Sequence, residues 1–317
     1  MGRRRRRRRR TTAGARRSRC GPGGRRVSSS GRFFPPAPAP GVAGDPGIFG
    51  PDSAAWRVAR ERVILAGGPA ALLLQVAHPL VAEGVRAHSG FATDPLQRLR
   101  GTLDAVLTVS FGDQAQVRGA AGLVARKHRP VQGTLPESVG PVPAGTPYRA
   151  NDPGLSLWVF ATLVWSAVEV TEAFLRHVPP EERDAYYRDM TRMARLFGVP
   201  AALLPEDYAG LERYVTQQIR STLDVGPAAA VIARQVLDPD PPIVVRPARR
   251  LPAVLAAGVL PPALREAYGL RWRRRERVCF AVVRRASRLA VPLLPARVRY
   301  WPHYLVARRR VHATPTV

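Results

Sequence analysis

The chain has 317 residues, 45% of them hydrophobic, which is enough to bury a core as one large domain or two small ones. Its net charge of +27 points to an anionic partner, but fourteen arginines fall within residues 1–32 with no acidic residue among them, so about half the excess belongs to a tail and no specific nucleic-acid target is expected. Cys20 and Cys279 lie in unlike surroundings and exclude a disulfide framework or a thiolate metal site, so the expected compartment is reducing and cytoplasmic.

Residues 1–50 combine Arg, Ser and Gly with a Pro-Ala run from Phe34, a composition that buries too little apolar area to order itself. They are read as a disordered tail, with a polyanion-binding or targeting arm as the alternative. Residues 51–312 are read as the folded domain, with the motif-bearing part over about 56–220 and a basic helical part over about 250–312. The arginine run has no apolar core behind it, so no secretory signal is predicted. The uncharged stretch Val63–Ala82 is broken by Gly67-Gly68-Pro69 and His78-Pro79, and Leu155–Val168 is shorter than a bilayer. No transmembrane span is therefore expected, while surface attachment through the tail or the C-terminal amphipathic segment stays open.

The predicted elements are all helical. Asp52 or Ser53 caps a first helix through Trp56, Val63 and Leu65, Pro69 begins a second over 70–77, and Pro79 a third that ends near Gly84 or His88. Asp94-Pro95 marks a fourth, in which Leu96, Leu99, Leu103, Val106 and Leu107 form a stripe with Arg98 and Thr102 along its edge. Gly112-Asp113 opens a fifth, where Val117, Ala121, Val124 and His128 share the core face before Pro130. Residues 134–150 read as a loop with a short hairpin. Asp152-Pro153 starts the most apolar helix, with Trp158 and Trp165, which should be central; further helices follow from Pro179-Pro180 to Gly198 and over 205–223. After a Pro-rich crossing at 238–247, helices are expected over 251–260, 262–268 and 271–289. Strand patterns are nearly absent, so the fold class is all-α, a single large multi-helix domain behind the tail.

Neutral imidazole is a common axial ligand of haem iron, and an arginine with a nearby hydroxyl suits anionic propionates or bound oxygen species. Arg98, Thr102 and His128 are compatible with such a site. The spacing alone equally describes a hydrogen-bonded core histidine, a salt-bridged arginine and a self-bonded helix threonine. His78 reads as a helix-boundary residue, Glu83 as a solvated helix residue, and Glu169, Glu172, Glu181 and Glu182 lack the histidines of a di-iron bundle.

Several linked motifs then occur in order: GGPAALLLQVAHP over residues 67–79, HSGF from His88, DPLQRLRGT from Asp94, HRPVQG from His128, YRANDP from Tyr148, and Trp158-Val159. Together they resemble the MpaB-type oxygenases, a family that includes the latex clearing proteins. The likeness runs from about Trp56 to Ile219, and YGLRW from Tyr268 and LPAR from Leu294 look like its bacterial members. The resemblance implies a helical fold holding one b-type haem, with O2 as co-substrate in the cleavage of isoprenoid carbon–carbon double bonds. It matches His128 to the proximal iron ligand, and Arg98 and Thr102 to the haem-pocket arginine and threonine. Latex clearing proteins carry a lysine immediately before that threonine as a distal ligand, where this chain has Gly101. The expectation is a haem-dependent oxygenase acting on a small apolar, olefinic substrate with an electron donor. A non-catalytic haem or redox protein and a basic nucleic-acid-binding protein are the alternatives.

Overall fold

The computed structural model describes residues 34–88, 95–237 and 249–313. The arginine run, the Asp94 cap and the Pro-rich crossing at 238–247 lie outside them. Among the described residues there are fourteen α-helices and one two-stranded sheet, as the all-α expectation requires.

The apolar helix is α6, Pro153–Phe174, capped by the Asp152 carboxylate, which accepts from the Leu155 amide at 2.9 Å. It is central: twelve of its residues are buried, and α2 (Gly68–Val76), α7 (Pro180–Leu196), α8 (Tyr208–Ser221), α10 (Leu251–Val259) and α12 (Arg274–Ala290) pack around it. Trp158 is fully buried there, and its indole donates to the Gln75 carbonyl on α2 at 3.1 Å. Among the described residues α6 is the single helix long and apolar enough to cross a bilayer. The 3₁₀ turn Arg62–Gly67 with α2, and α3 (Pro79–His88), are apolar as a pair but bent by 106°. Gly67 permits the 3₁₀ turn to lie on α6, because a Cβ there would overlap the Val170 side chain.

A second aromatic core joins α1 (Ala54–Ala59), α4 (Pro95–Phe111) and α14 (Pro302–His312). Trp56 meets Phe111 and Tyr304 edge-on, with ring centroids 5.5 and 5.8 Å apart. Three expectations need correction. The helix begun at Ser53 does not run to Leu65: α1 stops at Ala59, because Glu61 leaves the helix to bridge Tyr300 and pair with Arg299. Residues 34–50, expected as tail, are irregular but drawn into the fold. The Asp113 carboxylate accepts from the Val42 amide and the Arg310 carbonyl from that of Gly44, while Phe34 meets Trp301 edge-on. The helix α9 (Pro227–Leu237) was not predicted; its Ala229 and Ile232 are buried with Val76 and Ala82. The remaining helices are α5 (Gln114–His128), α11 (Pro262–Ala267) and α13 (Ala296–Arg299).

Candidate functional site

The site is built on an antiparallel hairpin of α4 and α5, joined through Gly112 and Asp113. A Cβ at Gly112 would lie 2.5 Å from the Thr108 carbonyl oxygen, so the tight turn needs glycine. Asp113 caps α5 in a reciprocal box with Gln116. Burial opposes its ionisation, yet hydrogen bonds from the Gln116 and Val42 amides and the nearby Arg310 charge hold its pKa below the usual carboxylate range. Arg310, itself buried, donates to the Phe111 carbonyl at 2.8 Å and closes the C-terminal end of α4.

The two helices share a face that changes character along its length. At about 100° per residue, Thr102, Ala105 and Val109 point one way from α4, and Val117, Ala121, Val124 and His128 one way from α5. Val109 and Val117 sit in the main core. Away from the turn the same faces open: Ala105 and Val124 are half-buried, and Thr102 and His128 are exposed. The expectation that His128 points into the core is therefore corrected. The helical period was right, but α5 extends past the layer it packs on, so its last turn emerges on the core side into solvent. Arg98 lies on the first turn of α4, at the same end of the hairpin; its side chain is outside the described part. The topology thus brings the three positions to one end.

The main chain at His128 is fixed from the far side. The Val131 amide donates to the His128 carbonyl at 2.9 Å, and the chain enters β1 (Gln132–Thr134), which pairs antiparallel with β2 (Pro147–Arg149). Tyr148 is buried between this hairpin and α3, with Gly84 facing its ring and its hydroxyl so close to Gly133 that a Cβ there would lie 2.7 Å away. The His88 ring meets Tyr148 edge-on, and its Nε2 lies 3.0 Å from the Gln132 carbonyl oxygen. Glu83 is also corrected. It is buried and holds the Arg86 guanidinium at 2.6 and 2.8 Å, because α3 turns that residue under the hairpin. Burial and the Glu83 charge push the Tyr148 hydroxyl above its ordinary pKa.

His78 is buried at the junction of α2 and α3, and its Nδ1 has no hydrogen-bond partner. Burial lowers its pKa to about 4, against smaller opposing effects of its own backbone and Asp152, so the ring is neutral at pH 7. Around His128, Arg126, Lys127 and Arg129 are exposed. Such cations are favoured where a helix C-terminus concentrates partial negative charge, and they suit an anionic ligand edge. No group of three or more His, Cys, Asp or Glu residues stands ready for a bare metal ion among the described residues. Glu172 is instead occupied by Arg183 and the Val178 amide, at 2.7 and 3.0 Å.

Fold and site together define an all-α protein that presents an exposed histidine, His128, at the end of a helical hairpin. Residues 56–289 match the family described as the catalytic domain of ER-bound oxygenase mpaB/B′ and rubber oxygenase, and the chain belongs to that family. Two uncharacterized proteins, Mb2261 of Mycobacterium bovis and Rv2237 of Mycobacterium tuberculosis, are each 33% identical to it over 154 residues, covering 46% of this chain. The match spans 56% of the length of those relatives. No solved structure matches the chain significantly.

Proposed function

We propose that this chain is a haem b-dependent oxygenase in which His128 would ligate the iron, Arg98 and Thr102 would help hold the same cofactor, and O2 would be used against a small apolar, isoprenoid-type olefin. The observation that carries the reading is the shared α4–α5 face, core at the turn and exposed at the end that bears an imidazole.

A porphyrin is flat and apolar, with two carboxylates on one edge. It needs an imidazole, adjoining apolar surface and nearby cations. His128 supplies the first, Ala105 and Val124 the second, and Arg126, Lys127 and Arg129 the third. The residues therefore fit the group. When bound, haem supplies the activation of O2, and an external donor supplies electrons. The chain's own part is to hold His128 in place through the hairpin stapled at Val131 and Tyr148, and to offer apolar helix faces to the olefin. Gly101 carries no side chain that could serve as a second iron ligand, and the space at its Cβ position is open. That feature favours a second reading, a non-catalytic haem or redox protein on the same scaffold.

The test is spectroscopic. The chain produced with haem supply should show a Soret band, and His128→Ala should lose or shift it at unchanged helix content. An unchanged band would refute the ligand assignment. Cleavage of isoprenoid olefins under O2 then separates the oxygenase from the redox protein.

A further inference from the structure

Helix α12 carries an apolar stripe that points away from the protein. Its inner side is well anchored. Phe280 packs edge-on against Phe174 and Trp272 and over Gly258, where a Cβ would overlap its ring. The Ser287 hydroxyl donates to the Phe174 carbonyl at 2.8 Å, and the Arg288 guanidinium donates to the carbonyls of Glu172 and Ala173 at the end of α6. At about 100° per residue, the opposite side bears Val278, Val282 and Leu289. They are 55%, 60% and 74% exposed, and Leu293, in the 3₁₀ turn that follows, is 84% exposed. No residue of α12 is buried. Four large aliphatic side chains within sixteen positions are thus held in solvent by a helix whose other side is locked.

The charge on the same helix says what covers them. Residues 274–290 contain six arginines and one acid, Glu276, which accepts from the Arg273 amide at the helix start. Two copies of this face would bring like charges together. A nucleic acid would leave the aliphatic stripe without an apolar partner. We infer that α12 is an interfacial helix that lies on an anionic phospholipid bilayer, with Val278, Val282, Leu289 and Leu293 inserted among the acyl chains and the flanking arginines on the headgroup phosphates. The helix is held rigid by α6 and α10, so it docks already formed and loses little conformational freedom on binding.

The arginine-rich N-terminus also attracts anionic vesicles, so the experiment must report on α12 itself. Cys279 is exposed on this helix and provides the label. The full chain with Cys20→Ser is labelled at Cys279 with an environment-sensitive NBD fluorophore and mixed with vesicles of phosphatidylcholine alone or with 40% phosphatidylglycerol. The expected result is a blue shift and enhancement on the anionic vesicles, weakened at least tenfold in apparent affinity by Val282→Glu with Leu289→Glu. Those positions are exposed, so thermal melting should be unchanged. A probe that stays aqueous while the protein floats with the vesicles would overturn the inference and leave binding to the tail. So would an equal response in the double variant, an equal response to duplex DNA, or a shift that follows protein concentration without lipid.

Discussion

Removing the charge of Glu61 should loosen the clasp that ties the two ends of the folded region. Glu61 is 1% exposed, and both its oxygens accept from the Arg299 guanidinium at 2.8 Å, with Arg60 3.5 Å away. The pair is reinforced by the bridge between Glu61 and Tyr300 and by the Trp301 amide, which donates to the Arg60 carbonyl at 3.1 Å. Breaking a buried pair from one side costs about 3–5 kcal/mol, because the surviving charge is left without compensation. The two ends are not equivalent. The Arg299 side chain is 18% exposed and also reaches the Pro292 carbonyl, so after Glu61→Leu solvent recovers part of the loss, and about 2–3 kcal/mol is expected. Arg299→Met leaves a carboxylate with almost no access to water and only Arg60, 3.5 Å away, to offset it, and should cost about 3–4 kcal/mol. The double replacement Glu61→Leu with Arg299→Met removes both charges and should lie within about 1–2 kcal/mol of the parent. Urea unfolding of the four proteins closes the cycle, with a coupling of at least about 2 kcal/mol expected. If Arg299→Met shifts the midpoint by less than the equivalent of about 1 kcal/mol, or the coupling falls below that, the C-terminal segment is not held by this pair and the reasoning fails.

Two further outcomes follow from buried or open positions. The folded pKa of His78, about 4, lies below its ordinary value of 6.5, so the unfolded chain takes up the proton first as pH falls. Its contribution is complete above pH 6.5 and is lost progressively towards pH 4, up to roughly 3 kcal/mol. His78→Met should flatten the melting temperature against pH across that window, and an unchanged slope would exclude His78 as its source. Gly101 lies within α4, exposed and with open space at its Cβ position, so Gly101→Lys should raise stability by about 0.5–1 kcal/mol through helix propensity. In the haem-loaded protein the same change should move the Soret band if the lysine reaches the iron; destabilisation would show that the position is not open.

How much of this was written in the sequence depends on the range of the interaction. Helix starts at Asp113 and Asp152, the central apolar α6, and the common direction of Val117, Ala121, Val124 and His128 follow from caps and periodicity. Those signals are local, set within one or two turns of chain. The family likewise followed from linked motifs in order, and the match over residues 56–289 bears it out. Exposure is different. Whether His128 is inside or outside depends on where the layer beneath α5 ends, and Glu83 is buried only because β2 folds back over α3. Glu61 leaves its helix for a partner 238 positions away, which no local pattern encodes. The period of α12 marks two unlike faces, but only packing decides that Phe280 and Ser287 turn inward and leave Val282 and Leu289 in solvent. Local chemistry determined the helices and the residues that line one side of each; tertiary packing alone decided which of those sides the core consumes, because burial is settled by what lands on a face and not by the face itself.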